Sequence, residues 1–353
     1  MLKEKHDWTY FKRRIYIKNT TVNEIFRMCV TPKGLTEWFV EKTEYKDNKG
    51  RIREQNEIIH PGDTFKWTYH IGSTVEGKIL AINENKSLSF TFGENEPNTN
   101  DYVVVTFTFH EKRDKIWFDI LQDNMADSNY GRVFYYISCN MGWVFHMNNM
   151  KSIIENNYDL RVENENRMHV DAPSGYPLEN YQWTSFKIQE YFKTTKEEVF
   201  QKWTSSNQII QWFLKEAIFL TSNNEVRSFN EKIKKEDKYI WKFHSGLELS
   251  GEILDIVDNS LFKFTFGKKE PDSEENVVVT VTFHDNGNNH CRIEISQENI
   301  ADNEYGYVTY NLSCILGWSY FLTNLRSVFE SGCDLREQNQ QLESESRSYS
   351  ILK

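Results

Sequence analysis

The chain contains one sequence pattern twice, about half its length apart. From Trp67 it reads WTYHIGSTVEGKILAINENKSLSFTFGENEP, and from Trp241 it reads WKFHSGLELSGEILDIVDNSLFKFTFGKKEP. The two segments are 174 residues apart. Solenoid repeats have units of about 20–50 residues, whereas a period of this length is the size of a whole domain. We therefore predict one fold that is present twice, in tandem.

Further matches continue the repeat towards the end of each copy. SCNMGW at 138–143 returns as SCILGW at 313–318, and the Asp-Leu-Arg sequence at 159–161 returns at 334–336. A chain of 353 residues is long enough for two domains that each bury a core. One polar segment lies between the two copies, and another follows the second copy. The predicted division is a first domain at 1–161, a linker at 162–182, a second domain at 183–336 and a flexible tail at 337–353.

Charge and cysteine content restrict the classes of function and the compartment. The formal net charge is −10 with the two signs interspersed, whereas a phosphate backbone or an anionic membrane requires concentrated positive charge. The five cysteines form no CxxC pair, and no segment approaches the ~20 apolar residues of a membrane span. No signal peptide is recognised. We therefore expect a cytoplasmic protein with reduced cysteines, no nucleic-acid partner and no membrane insertion.

Each copy begins with a short strand followed by two short helices. The predicted strands lie at 15–17 and 187–191. Thr21 followed by Glu24, and Thr195 followed by Glu198, are capping signatures that mark the start of the first helix in each copy. The second helix carries Leu35, Trp38 and Phe39 in the first copy and Ile209, Trp212 and Phe213 in the second.

A series of strands and one long helix complete each copy. Apolar and polar residues alternate with a period of two at 65–69, 75–79, 88–92, 103–109 and 116–120, which predicts consecutive antiparallel strands with one buried face. Long helices are predicted over about 133–154 and 308–329. Their apolar stripes require a surface to pack on, and the apolar face of the sheet is the surface each copy supplies. The stripe residues are Val133, Ile137, Met141, Val144 and Phe145 in the first copy, and Val308, Leu312, Ile315, Leu316 and Tyr320 in the second.

Several motifs carry a resemblance to a known family. They are the Pro-x-x-Leu-x-x-Trp-Phe pattern at 32–39, Gly-Lys-Ile-Leu at 77–80, Val-Thr-Phe-Thr-Phe at 105–109 and the terminal helix GWVFHMNNMKSIIENNYDLR, which is repeated as GWSYFLTNLRSVFESGCDLR. Their order resembles the START-like helix-grip fold of the SRPBCC superfamily, and in particular the family named after activators of the ninety-kilodalton heat-shock-protein ATPase. The second copy lacks the proline of the first motif but keeps Trp212 and Phe213.

The resemblance implies an α+β chain of two tandem helix-grip domains, each a curved antiparallel sheet wrapped around a long C-terminal helix with two short helices. It also implies an apolar cavity between sheet and helix. The superfamily includes lipid carriers, polyketide cyclases, hydratase-like enzymes and chaperone co-factors, so the fold alone does not fix the function.

Polar residues that recur in both copies are candidates for catalysis. His70 with His244, and His110 with His284, match across the repeat, but their strand positions place His70 and His110 on the outer face of the sheet, which favours a structural role. Capping and loop hydrogen bonds are the expected roles of Asp123 with Glu298 and of Asp127 with Asp302, and of Asn124 with Asn299 beside them. No nucleophile elbow, phosphate loop or zinc helix occurs. We expect no cofactor, no metal site and no ATP hydrolysis.

The aromatic lining is the remaining candidate site, because the chain holds 24 Phe, 18 Tyr and 10 Trp. These residues either fill a solid core or line a pocket for an apolar ligand. Phe107 corresponds to Val281, so two pockets would differ in shape. The predicted ligand-binding residues are Trp38, Trp67, Tyr69, Phe90, Phe107, Phe109, Met141 and Phe145 in the first copy and Trp212, Trp241, Phe243, Phe264, Val281, Phe283, Leu316 and Tyr320 in the second.

The leading functional hypothesis is a non-enzymatic binding protein. Its partner is either a small hydrophobic ligand in the apolar cavity of each domain or a chaperone that the chain serves as a co-factor. The alternative is an enzyme of the cyclase or hydratase type that uses the aromatic cavity as its active site.

Overall fold

Two antiparallel sheets of seven strands each form the framework of the protein. The structure, a computed structural model, describes residues 5–161 and 181–350. The strand order is β1-β7-β6-β5-β4-β3-β2 in the first domain and β8-β14-β13-β12-β11-β10-β9 in the second. The predicted α+β fold of two tandem helix-grip domains is confirmed.

In the described part of the first domain three helices accompany the sheet, and the long helix begins with a π-helical segment at Gly131–Cys139. The strands are β1 (Phe11–Ile17), β2 (Lys42–Lys46), β3 (Thr64–Thr68), β4 (Thr74–Asn83), β5 (Ser87–Glu94), β6 (Tyr102–Lys112) and β7 (Lys115–Asp123). The helices are α1 (Val22–Val30), α2 (Pro32–Trp38) and α3 (Asn140–Asn156).

The second domain repeats this order, with a π-helical segment at Tyr307–Leu312. The strands are β8 (Phe186–Phe192), β9 (Glu216–Leu220), β10 (Lys238–Lys242), β11 (Glu248–Val257), β12 (Leu261–Lys268), β13 (Asn276–Asp285) and β14 (Cys291–Glu298). The helices are α4 (Lys196–Trp203), α5 (Ser206–Ile209), α6 (Glu304–Gly306), α7 (Ser313–Ser331) and α8 (Gln340–Ser350).

The structure describes most of the predicted tail but little of the predicted linker. Most of the linker, 162–180, lies outside the described residues. The segment predicted to be a flexible tail contains the helix α8, in which Leu342 is buried. Residues 345–350 group with the first domain, where the Ser346 hydroxyl donates to the Arg14 carbonyl at 2.7 Å.

The predicted helix starts are confirmed in both copies. Thr21 accepts a hydrogen bond from the backbone N–H of Glu24, and the Glu24 carboxylate accepts one from the backbone N–H of Thr21. Thr195 and Glu198 form the same reciprocal pair. This capping box satisfies backbone donors that the first helical turn leaves unpaired.

A glycine in β4 makes room for an aromatic ring of the neighbouring strand. Gly77 lies opposite Phe65, and a Cβ at this position would be 2.4 Å from both the Phe65 ring and the Thr91 carbonyl oxygen. Gly251 has the same place in the second domain, opposite Tyr239. The repeated glycine is therefore explained by close packing.

A buried asparagine ties the long helix of the first domain to two other segments. The Asn149 side chain donates to the Trp38 carbonyl at 2.9 Å and accepts from the Leu160 N–H at 2.6 Å. The Arg161 guanidinium donates to three carbonyls at the end of α2, those of Thr36, Glu37 and Val40, and pairs with the Asp159 carboxylate at 2.6 Å. We call this group the clasp. It satisfies carbonyls at the end of α2 that the helix itself leaves unpaired.

The second domain has the same clasp. Asn324 donates to the Trp212 carbonyl at 2.8 Å and accepts from the Leu335 N–H at 2.7 Å. The Arg336 guanidinium donates to the Leu214 and Ile210 carbonyls. The clasp therefore explains why the Asp-Leu-Arg sequence is repeated. Its hydrogen bonds join residues that are far apart in the sequence, so sequence spacing does not predict them.

No helix of the described segments combines the length and the apolar character needed to cross a membrane.

We predict that Asn149→Leu lowers the free energy of unfolding of the first domain by about 3 kcal/mol, because it leaves a buried carbonyl and a buried N–H without partners. Urea unfolding of the full chain, fitted with one transition per domain, measures the effect. Asn324→Leu should move the other transition by a similar amount. The exposed turn residue Asn48 gives a control, Asn48→Ala, that should move neither. Equal midpoints for Asn149→Leu and the parent protein would contradict the role of the clasp.

Candidate functional site

The aromatic residues on the inner face of the first sheet pack against one another. The Trp67 and Phe65 rings stack with centroids 4.0 Å apart, and Phe90 meets Trp67 edge-on at 5.1 Å. Phe107 meets Phe90 edge-on at 5.2 Å and Phe118 at 5.0 Å. Edge-to-face contacts are favoured for aromatic pairs, and each of these rings has an aromatic neighbour on the same face of the sheet.

The helices close over these rings with further aromatic side chains. Trp143 of α3 stacks on Phe39 at 5.0 Å and meets Phe107 edge-on at 5.5 Å. Trp38 of α2 lies 6.3 Å from Phe107. The buried Trp143 indole N–H donates to the Gln122 side-chain oxygen at 2.8 Å. The space between sheet and helix is therefore occupied by ring contacts and one paired indole.

The second domain repeats the arrangement with small changes. Trp241 stacks on Tyr239 at 4.0 Å and meets Phe264 at 5.2 Å. Trp318 stacks on Phe213 at 5.3 Å, and its indole N–H donates to Gln297 at 3.0 Å. Phe213 thus occupies the position of Phe39, between the helix and the sheet.

The sixteen predicted lining residues fall into two groups by exposure. Tyr69 and Tyr320 are only partly buried. Phe109 and Phe283 contact the first helix of their domain through Phe26 and Phe200. The other fourteen residues are buried: Trp38, Trp67, Phe90, Phe107, Phe109, Met141, Phe145, Trp212, Trp241, Phe243, Phe264, Val281, Phe283 and Leu316.

Sequence reasoning omitted several residues that complete the clusters. Phe39 and Trp143 lie at the centre of the first cluster, and Phe213 and Trp318 lie at the centre of the second. In the sequence, the repeated Gly-Trp and Trp-Phe pairs indicate these four residues. His146, whose ring centroid is 4.7 Å from that of Phe39, was missed because its counterpart Phe321 has no polar atom.

The repeated histidines are found outside the aromatic clusters. His70 is exposed, and His110 on the outer face lies 3.1 Å from the Asp119 carboxylate and stacks on Trp117. His284 lies 2.9 Å from the Thr282 hydroxyl. His244 is partly buried, and burial lowers its pKa. These positions do not bring two histidines to one reactive centre.

The acidic loop before the long helix has structural roles. Asn124 has a positive φ of 58° and donates to the Asp101 carboxylate and the Tyr102 carbonyl, both at 2.8 Å. Asn299 repeats this conformation with a φ of 62° and donates to the Asn276 carbonyl. Burial raises the pKa of Asp123. Within the described ranges, no three His, Cys, Asp or Glu side chains are grouped so that they could hold a metal ion.

We predict that Gln122→Leu lowers the free energy of unfolding of the first domain by about 1–3 kcal/mol, because the buried Trp143 N–H loses its acceptor. Gln297→Leu should have the same effect on the second domain through Trp318. Urea unfolding monitored by tryptophan fluorescence measures both changes. The partly exposed Gln189 provides a control, Gln189→Leu, that leaves both indoles paired. Unchanged stability for both buried variants would show that these bonds contribute nothing.

Comparison with known proteins identifies related sequences and structures. The family model described as "Activator of Hsp90 ATPase homolog 1-like protein" matches residues 19–155 and 193–330. A comparison with curated proteins found no match.

Three solved structures illustrate the similarity. The Aha1 dimer from Colwellia psychrerythraea is 16% identical, with 41% of this chain and 96% of that chain covered and a TM-score of 0.34. PFC0360w, an HSP90 activator from Plasmodium falciparum, is 20% identical over 41% of this chain and 93% of its own, with a TM-score of 0.31. DynU16, a putative protein in the dynemicin biosynthetic locus, is 8% identical over 91% of this chain and 99% of its own, with a TM-score of 0.35. The assignment of the family rests on the family model.

Proposed function

The chain belongs to the family described as Activator of Hsp90 ATPase homolog 1-like protein, and from this premise we propose that it is a non-enzymatic binding protein that acts as a chaperone co-factor. Its proposed partner is a chaperone of the Hsp90 class. The observation that carries the proposal is the dense aromatic packing between sheet and helix in both domains. The five free cysteines fit the cytoplasm, which we propose as the compartment.

The aromatic interiors favour a protein partner over a ligand enclosed in each domain. Trp38, Trp67 and Phe107 are at most 1% exposed, and their rings contact other rings of the same domain. Trp212 and Trp241 are equally buried in the second domain. Side chains that contact one another in this way stabilise the domain, so recognition is assigned to the surface.

The loop after the edge strand offers such a surface in each domain. Ile52 is 56% exposed and Val226, at the matching position, is 70% exposed. Ile52 forms an isolated β-bridge with Lys46 of the edge strand β2, and Val226 forms one with Leu220 of the edge strand β9. An apolar side chain held exposed on a fixed backbone is suited to contact a partner, and both copies have one.

Ion pairs fix the conformation of this loop. Arg53 forms two hydrogen bonds with the buried Asp63 carboxylate, at 2.7 and 2.9 Å. Arg227 pairs with the buried Asp237 in the same way in the second domain. A loop held by bidentate pairs presents its exposed residues with little ordering cost on binding.

A small apolar ligand is the second candidate partner. The partly exposed Tyr69 supports it, because its ring lies 5.6 Å from Phe39 and 6.3 Å from His146 at the edge of the first cluster. In the second domain the partly exposed Tyr320 lies 5.1 Å from Phe321. The cyclase or hydratase alternative has less support. The repeated histidines contact different neighbours and do not meet at one reactive centre.

We predict that the full chain binds the Hsp90-class chaperone of its own organism and changes the ATPase rate by about twofold or more at saturation. Titration calorimetry and a coupled ATPase assay measure the two effects. The double substitution Ile52→Lys and Val226→Lys should weaken binding about tenfold, because a charge replaces an apolar contact in each copy. Ile71→Lys, at an equally exposed site without an apolar counterpart, is the control.

The proposal fails if the chaperone neither binds nor changes its ATPase rate. Native mass spectrometry of protein purified from its source tests the second candidate, since a retained apolar molecule supports ligand binding. Trp67→Ala and Trp241→Ala should then weaken retention in a folded protein. Turnover of that molecule would favour the enzyme.

A further inference from the structure

The outer face of the first sheet carries a group of aromatic and charged side chains near its β1 edge. Arg14 of β1 forms two hydrogen bonds with the buried Asp119 carboxylate of β7, at 2.8 and 2.7 Å. The Arg14 guanidinium lies 5.3 Å from the centroid of the Trp117 ring, and the His110 ring stacks on that ring at 4.8 Å. The ring centroid of Tyr16 lies 5.8 Å from that of Trp117. We call these five residues the outer cluster.

The end of α8 lies on the outer cluster. The Tyr349 ring covers the Arg14 guanidinium at 4.1 Å, and the Tyr16 hydroxyl donates to the Glu345 carboxylate at 2.8 Å. The Ser346 hydroxyl donates to the Arg14 carbonyl at 2.7 Å. Because residues four apart share one face of a helix, the carboxylate and the aromatic ring meet a phenol and a guanidinium of the sheet side by side.

This segment, residues 345–350, is held by few and polar contacts, and we call it the strap. None of its residues is buried, and Leu342, the buried residue of α8, precedes it. Short polar helices are marginally stable in water, and cation–π contacts are weak where the groups are partly exposed. The strap is therefore an element that can detach by local opening while the sheet beneath it stays folded.

The second domain has different residues at two positions of the outer cluster. Strand pairing places Gln189 at the position of Arg14 and Arg292 at the position of Trp117. The fold is therefore compatible with other polar residues on this face. Tryptophan and arginine are enriched where proteins recognise one another, and the outer face of an antiparallel sheet does not require them for its core. Their presence is a property of the first domain alone.

We propose that the outer cluster is a docking surface for a short helix of a protein partner that carries a carboxylate and, four residues later, a tyrosine, and that the strap occupies this surface as an autoinhibitory contact. The strap shows the chemistry that the surface accepts, since Glu345 and Tyr349 have this spacing. Lys12, whose Nζ lies 5.7 Å from the Tyr349 ring, adds positive charge beside Arg14. This charge complements the carboxylate of the incoming helix.

The strap does not satisfy every group of the surface. The buried Nε1 of the Trp117 indole has no hydrogen-bond acceptor among the described residues. A partner helix that supplies an oxygen to this donor gains a bond that the strap does not make. The inference goes beyond the proposed chaperone contact, because the loop at Ile52 adjoins β2, and β1 and β2 are the two opposite edges of the sheet.

The test measures binding of a synthetic peptide with the sequence of residues 340–350 to the full chain, by fluorescence anisotropy and by the NMR signal of the Trp117 indole N–H. In the parent the strap competes with the peptide, so the apparent affinity is reduced by the fraction of closed chains. Tyr349→Ala removes the ring that covers Arg14 and should raise the peptide affinity about tenfold or more. Tyr349→Phe keeps the ring and should bind the peptide as the parent does.

Two further changes locate the peptide on the outer cluster. A peptide with alanine in place of its tyrosine should bind the Tyr349→Ala chain at least about tenfold more weakly. Arg14→Gln and Trp117→Arg, added to Tyr349→Ala, copy the second domain and should abolish binding, while a guanidinium remains available to Asp119. Circular dichroism checks that this variant is folded. The exposed Arg51 gives a matched control, Arg51→Gln, that should leave binding unchanged.

Three results would overturn the proposal. The first is equal peptide affinity of the parent and Tyr349→Ala, including no binding to either. The second is peptide binding that survives the substitutions at Arg14 and Trp117. The third is concentration-dependent dimerisation of the parent, measured by light scattering and lost in Tyr349→Ala, which would assign the surface to the strap of a second copy.

Discussion

One buried amide in each domain holds the long helix, the end of the second short helix and the chain beyond the long helix together. Asn149 and Asn324 each donate to a tryptophan carbonyl and accept from a leucine N–H. The tryptophan carbonyl belongs to the residue that precedes Phe39 or Phe213. The amide therefore fixes the position of the phenylalanine on which the indole of the long helix stacks. The aromatic interiors depend on this one pair of hydrogen bonds for their alignment.

The duplicated domains share this framework and differ in the charges placed between sheet and helix. The first domain has Arg13 and Asn140 where the second has isoleucines. The second has the fully buried Glu190 and Arg326, 3.8 Å apart, where the first has Ile15 and Lys151. Buried charges contribute little net stability, so each copy carries a costly polar group at a different place. The two interiors therefore differ in their polar groups although their framework is the same.

Periodicity and capping signatures were sufficient to predict the main architecture. Alternation in β5, with Leu88, Phe90 and Phe92 buried, is visible in the sequence because one face is apolar throughout. The edge strand β2 was missed because Tyr45 is its one fully buried residue. The polar helix α8 was missed for the same reason.

The site could be predicted only in part. The apolar character of Trp67 and Phe107 and their alternate positions along the strands identify them as inward-facing. These features do not reveal which rings are in contact. The sixteen lining residues therefore stay a prediction as ligand contacts. The pairing of Trp143 with Gln122 joins residues from a helix and a strand, and no local pattern encodes it. Asn140 follows a π-helical segment, and the missing acceptor of its Nδ2 is visible only when the side chains around it are known.

The most direct test of this account is the hydrogen exchange rate of the Leu160 and Leu335 backbone amides, which donate to Asn149 and Asn324. If the clasp holds each domain together, both amides exchange only through global unfolding of their domain, as slowly as the central strands β6 and β13. If they exchange through local opening, many times faster than those strands, the segment after the long helix is attached only loosely, and the clasp is not the interaction on which the domains depend.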